Sequence, residues 1–369
     1  MSSKRLGVRA ALTDGGLIPG DVLIEDGMIA SAGARPAGRA GTAVPGYIDL
    51  QVNGFGGVDF LSTDESGFRR AGEALAATGV TAFQPTLITA PEPTLLTSLG
   101  VAARAAIDSR PRLLGVHLEA CFLSPKWRGA HDARWLGPPD IALAERFLEA
   151  GPVTYVTIAP ELPGGFDLLD RLVRGGAVVA IGHSDADGET AHAAFNRGAR
   201  AVTHLHNAHR RFTARDPGIA GVALTRPDVT VGLIVDFVHL AREAVLMTWF
   251  AARGRVALVT DAIAAAPESD GEVSLGGRTV RVEDGVARLP DGTLAGSVLT
   301  MDRAVRNVVS LGVPLGDAIA AATLVPARLV GREELGTLRS MSPADIAVLD
   351  DRLEVVRTFV AGDEVWASD

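Results

Sequence analysis

Short hydrophobic runs alternate with amphipathic segments over most of the chain. The runs are rich in Val, Ile and Leu, are bounded by Gly, Pro or Asp, and lack the strict polar alternation of a sheet with one wet face. This pattern predicts parallel strands that are buried on both faces. Eight such strands are predicted, at residues 44–50, 80–84, 113–119, 153–158, 177–181, 201–204, 229–235 and 256–260.

Apolar side chains recur at spacings of three and four between most of these runs, as Phe68, Ala71 and Leu75 do. Helices are therefore predicted at 66–78, 93–107, 139–150, 166–174, 187–197 and 242–253, with two more at 300–311 and 315–324. Eight parallel strands with intervening helices predict an α/β fold, a TIM-like (β/α)8 barrel. A doubly wound open sheet is the alternative, but no Gly-x-Gly-x-x-Gly follows the first strand.

Both ends of the chain have a different pattern, with short β-rich segments and turn dipeptides such as Asp-Gly and Pro-Gly. We predict a small β-sandwich domain assembled from residues 1–44 and 336–369, with the barrel spanning 45–335. Two unrelated ends are the alternative. A further β-hairpin is predicted at 272–289, inserted between the eighth strand and its helix.

Composition narrows the class of protein. The 369 residues are 47 % hydrophobic and 21 % charged, which is typical of a globular protein. The net charge of -9 and the lack of a basic tract argue against nucleic acid or an anionic membrane as partner. No secretory signal or bilayer-length apolar run is evident, so we expect a cytoplasmic protein. The single cysteine, Cys121, excludes an internal disulfide and a multi-cysteine metal site.

Polar residues stand at the ends of several predicted strands, where a barrel carries its chemistry. Glu119, His183, His204 and Asp261 end the third, fifth, sixth and eighth strands, and His239 follows the seventh. Two imidazoles and a carboxylate are a common catalytic zinc set, although divalent iron and other borderline metals accept the same ligands. A separate carboxylate, Asp261, could take a proton from a metal-activated water and return it to a leaving amine. The pattern indicates metal-assisted amide hydrolysis.

The first strand differs from that of many metal-dependent barrel hydrolases, which carry His-x-His there to hold a second metal. Here Gln51 and Asn53 occupy the matching positions, and neutral amides are poor ligands for a borderline metal. A carboxylated lysine bridge is also excluded, because the two lysines, Lys4 and Lys126, do not end a barrel strand. We predict one metal ion per active site.

An ordered set of motifs runs nearly from end to end. It comprises PGYIDLQVNG at 45–54, HLE at 117–119, GAHD at 129–132, IAPE at 158–161, GHS at 182–184, THLHNA at 203–208, RDPG at 215–218, VTDA at 259–262, LAGS at 294–297, ATLVPA at 322–327 and GTL at 336–338. Taken together, these motifs resemble those of the N-acetylglucosamine-6-phosphate deacetylase family of the amidohydrolase superfamily.

The resemblance implies roles for the strand-end residues. Glu119, His183 and His204 would hold one divalent metal per subunit, with zinc favoured and iron or another borderline metal as the alternative. Asp261 would act as general base and then as general acid. His131 would hydrogen-bond the acetyl carbonyl and support the developing oxyanion.

The resemblance also implies a substrate and a partner. The reaction would convert N-acetyl-D-glucosamine 6-phosphate and water to D-glucosamine 6-phosphate and acetate, in amino-sugar recycling. Arg215 would bind the phosphate in the neighbouring subunit's site, which implies a homodimer or a dimer-based oligomer. The other substrate-binding residues would be Ala130, Asn207, Ala208, His239, Leu294, Ala295 and Gly296.

Two segments depart from the family's pattern. Ala120 and Cys121 replace the usual Gly-Pro after the metal glutamate, and Cys121 could be a small buried residue, an accessory soft ligand or a redox-sensitive thiol. Phe237 replaces a glycine near His239, so it could narrow the pocket or point away from it. A related single-metal hydrolase of another N-acyl amino sugar, or a catalytically silent sugar-phosphate-binding homologue, is therefore an alternative function.

Overall fold

A computed structural model describes residues 3–267 and 270–368, so Met1, Ser2 and Asp369 of the predicted small domain lie outside it. In chain order the strands are β1 Ser3–Arg5, β2 Val8–Thr13, β3 Gly16–Pro19, β4 Asp21–Glu25, β5 Met28–Ala34, β6 Ala40–Pro45, β7 Tyr47–Val52, β8 Gly54–Phe55, β9 Val58–Asp59, β10 Val80–Ile88, β11 Arg112–Leu113, β12 Val116–Glu119, β13 Val153–Ile158, β14 Val178–Ile181, β15 Ala201–Val202, β16 Thr230–Leu233, β17 Val256–Leu258, β18 Gly271–Leu275, β19 Arg278–Glu283, β20 Val286–Arg288, β21 Ile346–Leu349, β22 Val355–Val360 and β23 Asp363–Ala367.

The helices follow the predicted order with two additions. They are α1 Glu65–Ala76, α2 Glu92–Ala105, α3 Ile141–Ala150, α4 Gly165–Arg174, α5 Gly188–Asn196, α6 Gly218–Thr225, α7 Arg242–Ala251, α8 Met301–Ser310, α9 Leu315–Ala322 and α10 Leu324–Leu329. Short 3-10 turns stand at Ala106–Asp108, Pro125–Trp127 and Ala133–Trp135. Among the described residues, none of the helices has both the length and the apolarity needed to cross a membrane.

Eight parallel strands form the barrel, in the order β7, β10, β12, β13, β14, β15, β16 and β17. A parallel bridge between Val52 and Ala262 joins the last of these to the first at the rim. Every residue of β7 and β10 is buried, which is why these runs show no polar alternation. The predicted barrel is therefore confirmed, and its strand ends meet at one rim.

Several predicted strand boundaries differ from the observed ones, and two of the differences have clear local reasons. The segment 44–50 divides at Gly46, because Val44 pairs in the small sheet while Tyr47 begins the barrel. A Cβ at Gly46 would lie 2.1 Å from Thr81 Oγ1, so only glycine permits this close crossing. The sixth strand ends at Val202 rather than at His204, because His204 takes a positive φ of 30°.

Strands from the two ends of the chain share one six-stranded sheet, ordered β23-β22-β21-β6-β2-β3. Within it β6 pairs with β2 in parallel and with β21 in antiparallel. A three-stranded sheet, β1-β4-β5, lies beside it, and a second apolar core that includes Ile24, Ile346 and Phe359 connects strands of both sheets. The shared β unit is confirmed, while its boundaries at 44/45 and 335/336 stay a prediction.

The inserted segment after the eighth strand is larger than the predicted hairpin. It forms an antiparallel three-stranded sheet of β18, β19 and β20. The guanidinium of Arg278 donates a hydrogen bond to the carbonyl of Ala130 at 2.9 Å. This bond ties the inserted sheet to the loop after β12, across the mouth of the barrel.

Candidate active site

Three strand ends bring together one carboxylate and two imidazoles. Glu119 ends β12, while His183 and His204 follow β14 and β15 by two residues each. Glu119 Oε1 lies 3.2 Å from Nε2 of each histidine, and the two Nε2 atoms are 3.1 Å apart. Tetrahedral ligands of a divalent zinc stand about 3.3 Å from one another, so this triangle is close to the size such an ion requires.

The chemistry of the triangle also fits a metal ion. The ring of His183 donates its Nδ1 proton to the carbonyl of Trp127 at 2.8 Å, which leaves Nε2 with a free lone pair. Glu119 Oε1 is buried and makes no well-formed hydrogen bond within the described chain. Burial alone would raise the pKa of Glu119, but the two imidazoles hold that pKa well below its usual value. Glu119, His183 and His204 therefore form a group able to hold a cation, which we call the metal group.

The backbone at these strand ends is strained. His183, His204 and Asp261 have φ values of 47°, 30° and 50°, in the left-handed region that favours glycine. Such residues cost about 1–3 kcal/mol each and persist where surrounding structure holds them. Around His183 that support comes from Glu161, whose carboxylate accepts from Ser184 Oγ and from the backbone N–H of Asp185, both at 2.6 Å.

Asp261 lies beside the metal group and is held by two side-chain amides. Asn53 Nδ2 donates to Asp261 Oδ1 at 2.8 Å, and Gln51 Nε2 lies 3.2 Å from the same oxygen. Gln51 Nε2 is also 3.2 Å from Glu119 Oε2. The amides of Gln51 and Asn53, at the end of the first barrel strand, thus hold both carboxylates by hydrogen bonds. Burial raises the pKa of Asp261, and the charge of Glu119 raises it further.

His131 approaches the metal group from the loop after β12. Its ring centroid is 4.4 Å from that of His183, and its Nδ1 lies 2.8 Å from Thr89 Oγ1 and 3.4 Å from the backbone nitrogen of Thr89. Because the backbone N–H can only donate, Nδ1 accepts and the neutral ring carries its proton on Nε2. Burial, together with the charge of His183, lowers the pKa of His131 to about 3.

These residues line one cavity of about 420 Å³ at the barrel mouth. The residues expected from sequence that line it are Glu119, Ala130, His131, His183, His204, Asn207, Ala208, His239, Asp261, Leu294 and Gly296. Ala295 is fully buried behind this wall. Arg215 is exposed and does not line the cavity of its own chain.

His239 is fixed by its neighbour Asp236. One carboxylate oxygen of Asp236 accepts from the backbone N–H of His239 at 2.8 Å, and the other lies 2.7 Å from Nδ1 of the ring. Phe237, between them, has a φ of 63° and does not line the cavity. The guanidinium of Arg242 lies 4.1 Å from the centroid of the Phe237 ring. Phe237 therefore points away from the cavity, the second of the two orientations considered from sequence.

Cys121 stands apart from the metal group. Its side chain is buried, and burial raises the pKa of its thiol to about 12. It lines a separate cavity of about 220 Å³ together with Trp135, Leu143 and Phe147. This environment is typical of a small buried side chain rather than of an accessory metal ligand.

Sequence analysis missed several residues of the cavity wall. Leu275 and Arg288 come from the inserted sheet, and Thr293 from the segment that follows it. Their position after the eighth strand could have indicated this role, because loops at that face line the site of a barrel. Arg211 also lines the cavity. Its only signal in the sequence is its place between Ala208 and Arg215.

The chain is similar to known proteins over nearly its whole length. A profile of the amidohydrolase family matches residues 42–365. Human N-acetylglucosamine-6-phosphate deacetylase is 36 % identical over 371 residues, covering 96 % of this chain and 90 % of the human protein. N-acetylgalactosamine-6-phosphate deacetylase of Escherichia coli O157:H7 is 33 % identical over 368 residues, covering 97 % of this chain and 98 % of its own.

Among solved structures, a mutant N-acetyl-D-glucosamine-6-phosphate deacetylase from Mycobacterium smegmatis, in complex with N-acetyl-D-glucosamine-6-phosphate, superposes with a TM-score of 0.94. It is 35 % identical and covers 99 % of this chain and all of its own.

Proposed function

The chain belongs to the amidohydrolase family, and on that premise we propose that it hydrolyses the acetamide of N-acetyl-D-glucosamine 6-phosphate to D-glucosamine 6-phosphate and acetate. The observation that carries the proposal is the placement of Asp261 beside the Glu119–His183–His204 group, inside one cavity. Near-full-length similarity to deacetylases of acetamido sugar phosphates supports the substrate class.

Glu119, His183 and His204 would hold one divalent metal ion. Zinc suits two imidazoles and one carboxylate, and iron or another borderline metal is the alternative. When bound, such an ion supplies Lewis-acid chemistry, which lowers the pKa of water and polarises a carbonyl oxygen. The hydrogen bonds that Gln51 donates to Glu119 and Asp261 take the place of a second cation between the two carboxylates.

Asp261 accepts the proton of the attacking water. The amides of Asn53 and Gln51 hold its Oδ1, so its Oδ2 remains for proton transfer. A pKa raised by burial makes this carboxylate a stronger base than an exposed aspartate. After the water oxygen has bonded to the acetyl carbon, Asp261 returns the proton to the nitrogen. The C–N bond then breaks, and glucosamine 6-phosphate and acetate leave.

His131 stabilises the acetyl oxygen during this step. Because Thr89 fixes Nδ1 as the acceptor, Nε2 presents an N–H to the cavity. A pKa of about 3 keeps the ring neutral at physiological pH. The N–H therefore donates to the oxygen as its negative charge develops, without a proton being lost to it.

The sugar phosphate would contact Asn207, Ala208 and His239 in the same cavity. Arg215 is exposed outside it, which suits a role in the neighbouring site of a homodimer. Large apolar side chains are also exposed, with Phe212 at 59 %, Met247 at 73 % and Phe250 at 74 %. A second copy of the chain would cover them. We place the enzyme in the cytoplasm, where sugar phosphates are metabolised.

Another acetamido sugar phosphate is the second candidate substrate, because one relative is an N-acetylgalactosamine-6-phosphate deacetylase. The orientation of Phe237 away from the cavity removes one reason to expect a shifted preference. A catalytically silent sugar-phosphate binder is the remaining alternative. A protein that only binds the sugar phosphate would not require the carboxylate of Asp261 beside the metal group.

A substrate panel tests the proposal. Acetate release is measured from the 6-phosphates of N-acetylglucosamine, N-acetylgalactosamine and N-acetylmannosamine, with metal content measured on the same sample. We expect the highest kcat/KM for the glucosamine derivative. A higher kcat/KM for the galactosamine derivative would transfer the function to that sugar, and binding without acetate release from any member would favour the silent homologue.

A further inference from the structure

Arg211 is a cation of the active-site cavity that the roles described so far leave unassigned. It lines the cavity wall beside Asn207 and Ala208. Its guanidinium makes no hydrogen bond or ion pair with any residue that the structure describes. The cavity also holds the carboxylates of Glu119 and Asp261, which repel an incoming anion.

The other cations of the cavity wall are already engaged. Lys126 Nζ donates to both carboxylate oxygens of Asp185, at 3.0 and 2.8 Å. Arg288 Nη1 donates to the carbonyl of Gly292 at 2.8 Å. Among the described cavity residues, Arg211 is therefore the arginine whose guanidinium makes no hydrogen bond at all, whereas Arg288 uses one of its donors.

The loop that carries Arg211 is fixed by its neighbour in sequence. Arg210 Nε donates to Asp216 at 2.6 Å, its Nη1 lies 3.6 Å from Asp185, and its backbone N–H donates to the carbonyl of Ser184 at 3.0 Å. These bonds engage the side chain of Arg210 outside the cavity, while Arg211 lies in the cavity wall. Arg215, four residues later, is exposed outside the cavity.

We propose that Arg211 binds the 6-phosphate of the substrate within its own subunit. This inference rests on the proposed function, and it separates the roles of two nearby arginines: Arg211 acts in its own cavity, and Arg215 is left for a neighbouring one. A guanidinium presents paired N–H donors that match two phosphate oxygens, and such charge-assisted bonds are stronger than neutral ones. The positive charge of Arg211 also offsets the repulsion of the sugar-phosphate dianion by Glu119 and Asp261.

The test compares the wild type with Arg211→Met and Arg211→Lys. For Arg211→Met we expect KM for N-acetylglucosamine 6-phosphate to rise about ten- to a hundredfold, with kcat changed much less. Arg211→Lys keeps the positive charge but loses the paired N–H donors of the guanidinium, so its KM should lie between those of the wild type and Arg211→Met. Isothermal titration calorimetry should show a similar loss of affinity for glucosamine 6-phosphate, and none for unphosphorylated glucosamine.

Arg128→Met is the matched control, because Arg128 is an exposed arginine that does not line the cavity. We expect its KM to change less than twofold. An unchanged KM in Arg211→Met, an equal loss of affinity for unphosphorylated glucosamine, or an equal effect in Arg128→Met would overturn the inference. Failure of the proposed function would give a different result, because the wild type would then release no acetate. The role of Arg211 would still be tested in that case, by comparing the affinities of the wild type and Arg211→Met for glucosamine 6-phosphate.

Discussion

The side-chain amide of Asn53 donates its hydrogen bond to Oδ1 of Asp261 over 2.8 Å. Asn53 is nearly buried, and Asp261 is held by this bond and by the weaker one from Gln51. Residues at the end of the first barrel strand thus orient the carboxylate that we propose as the general base.

Replacing Asn53 with Ala should lower kcat about tenfold, because Asp261 loses its shortest hydrogen bond and is held for proton transfer only by the longer one from Gln51. The metal content should stay at the wild-type value, since Asn53 is not a ligand. Steady-state kinetics and metal analysis on the same sample measure both. Wild-type kcat in the fully folded variant would show that Gln51 alone positions the carboxylate.

Replacing Asp261 with Asn should lower kcat by about a thousandfold or more, because proton transfer by a positioned group is worth about 10²–10⁴ in rate. The substrate Kd should change only a few-fold, since the amide has nearly the same shape. Acetate release and calorimetry give the two values. A variant that keeps a tenth of the wild-type kcat would require another general base.

Full activity should require one metal ion per chain. Removal of the metal with a chelator should abolish acetate release, and Glu119→Gln should lower metal affinity, because it removes the charged ligand between His183 and His204. Plasma emission spectrometry on samples titrated with metal gives the number of metal ions bound per chain. Activity that continues to rise until two ions are tightly bound would contradict the one-metal site.

Replacing Cys121 with Ser should leave the metal content unchanged, because Cys121 lies outside the metal group and faces a separate cavity. The wild-type thiol should react slowly with alkylating reagents at neutral pH, since burial raises its pKa to about 12. Metal analysis and thiol-labelling kinetics test the two statements. Loss of metal in the folded serine variant would restore the ligand hypothesis.

Asp49 should make the stability of the fold depend on pH. Burial raises its pKa to about 7, against hydrogen bonds from Thr260 and from the backbone of Gln51 that favour the charged form. Between about pH 4 and pH 7 the unfolded chain gives up this proton while the folded chain keeps it, so stability falls as pH rises. The loss is at most about 4 kcal/mol.

Asp49→Asn removes this titration. Urea unfolding at pH 5 and pH 8 should therefore show a smaller loss of stability with pH in the variant than in the wild type. Thr230→Ser, a change at the half-buried start of β16, serves as a control and should follow the wild-type slope. Equal slopes in the wild type and Asp49→Asn would mean that the carboxyl group ionises freely in the fold.

The strand ends of the site could be predicted because apolar runs stop at polar residues there. His183, His204 and Asp261 stand just past three such runs, and the rule that barrel chemistry lies at these ends was sufficient to group them. Their positive φ values were not predictable. Backbone strain of this kind depends on contacts such as those of Glu161 with the turn after His183, which the local sequence does not show.

Other features could not be predicted because they depend on distant parts of the chain. The helix α6 begins at Gly218 and is apolar on nearly all sides, so it has no amphipathic period. The division of the first strand at Gly46 depends on the approach of Thr81. Arg211 differs from Arg210 in having no carboxylate partner and from Arg215 in lining the cavity, and both differences arise only in the folded chain.

The pairing of β6 with β21 also constrains how the chain can be made. About 300 residues separate the two strands, so β6 leaves the ribosome long before its partner is synthesised. During that interval one edge of β6 is open, and exposed strand edges recruit other chains. A nascent chain must therefore protect this edge, with its own barrel or with a chaperone, until the final three strands arrive.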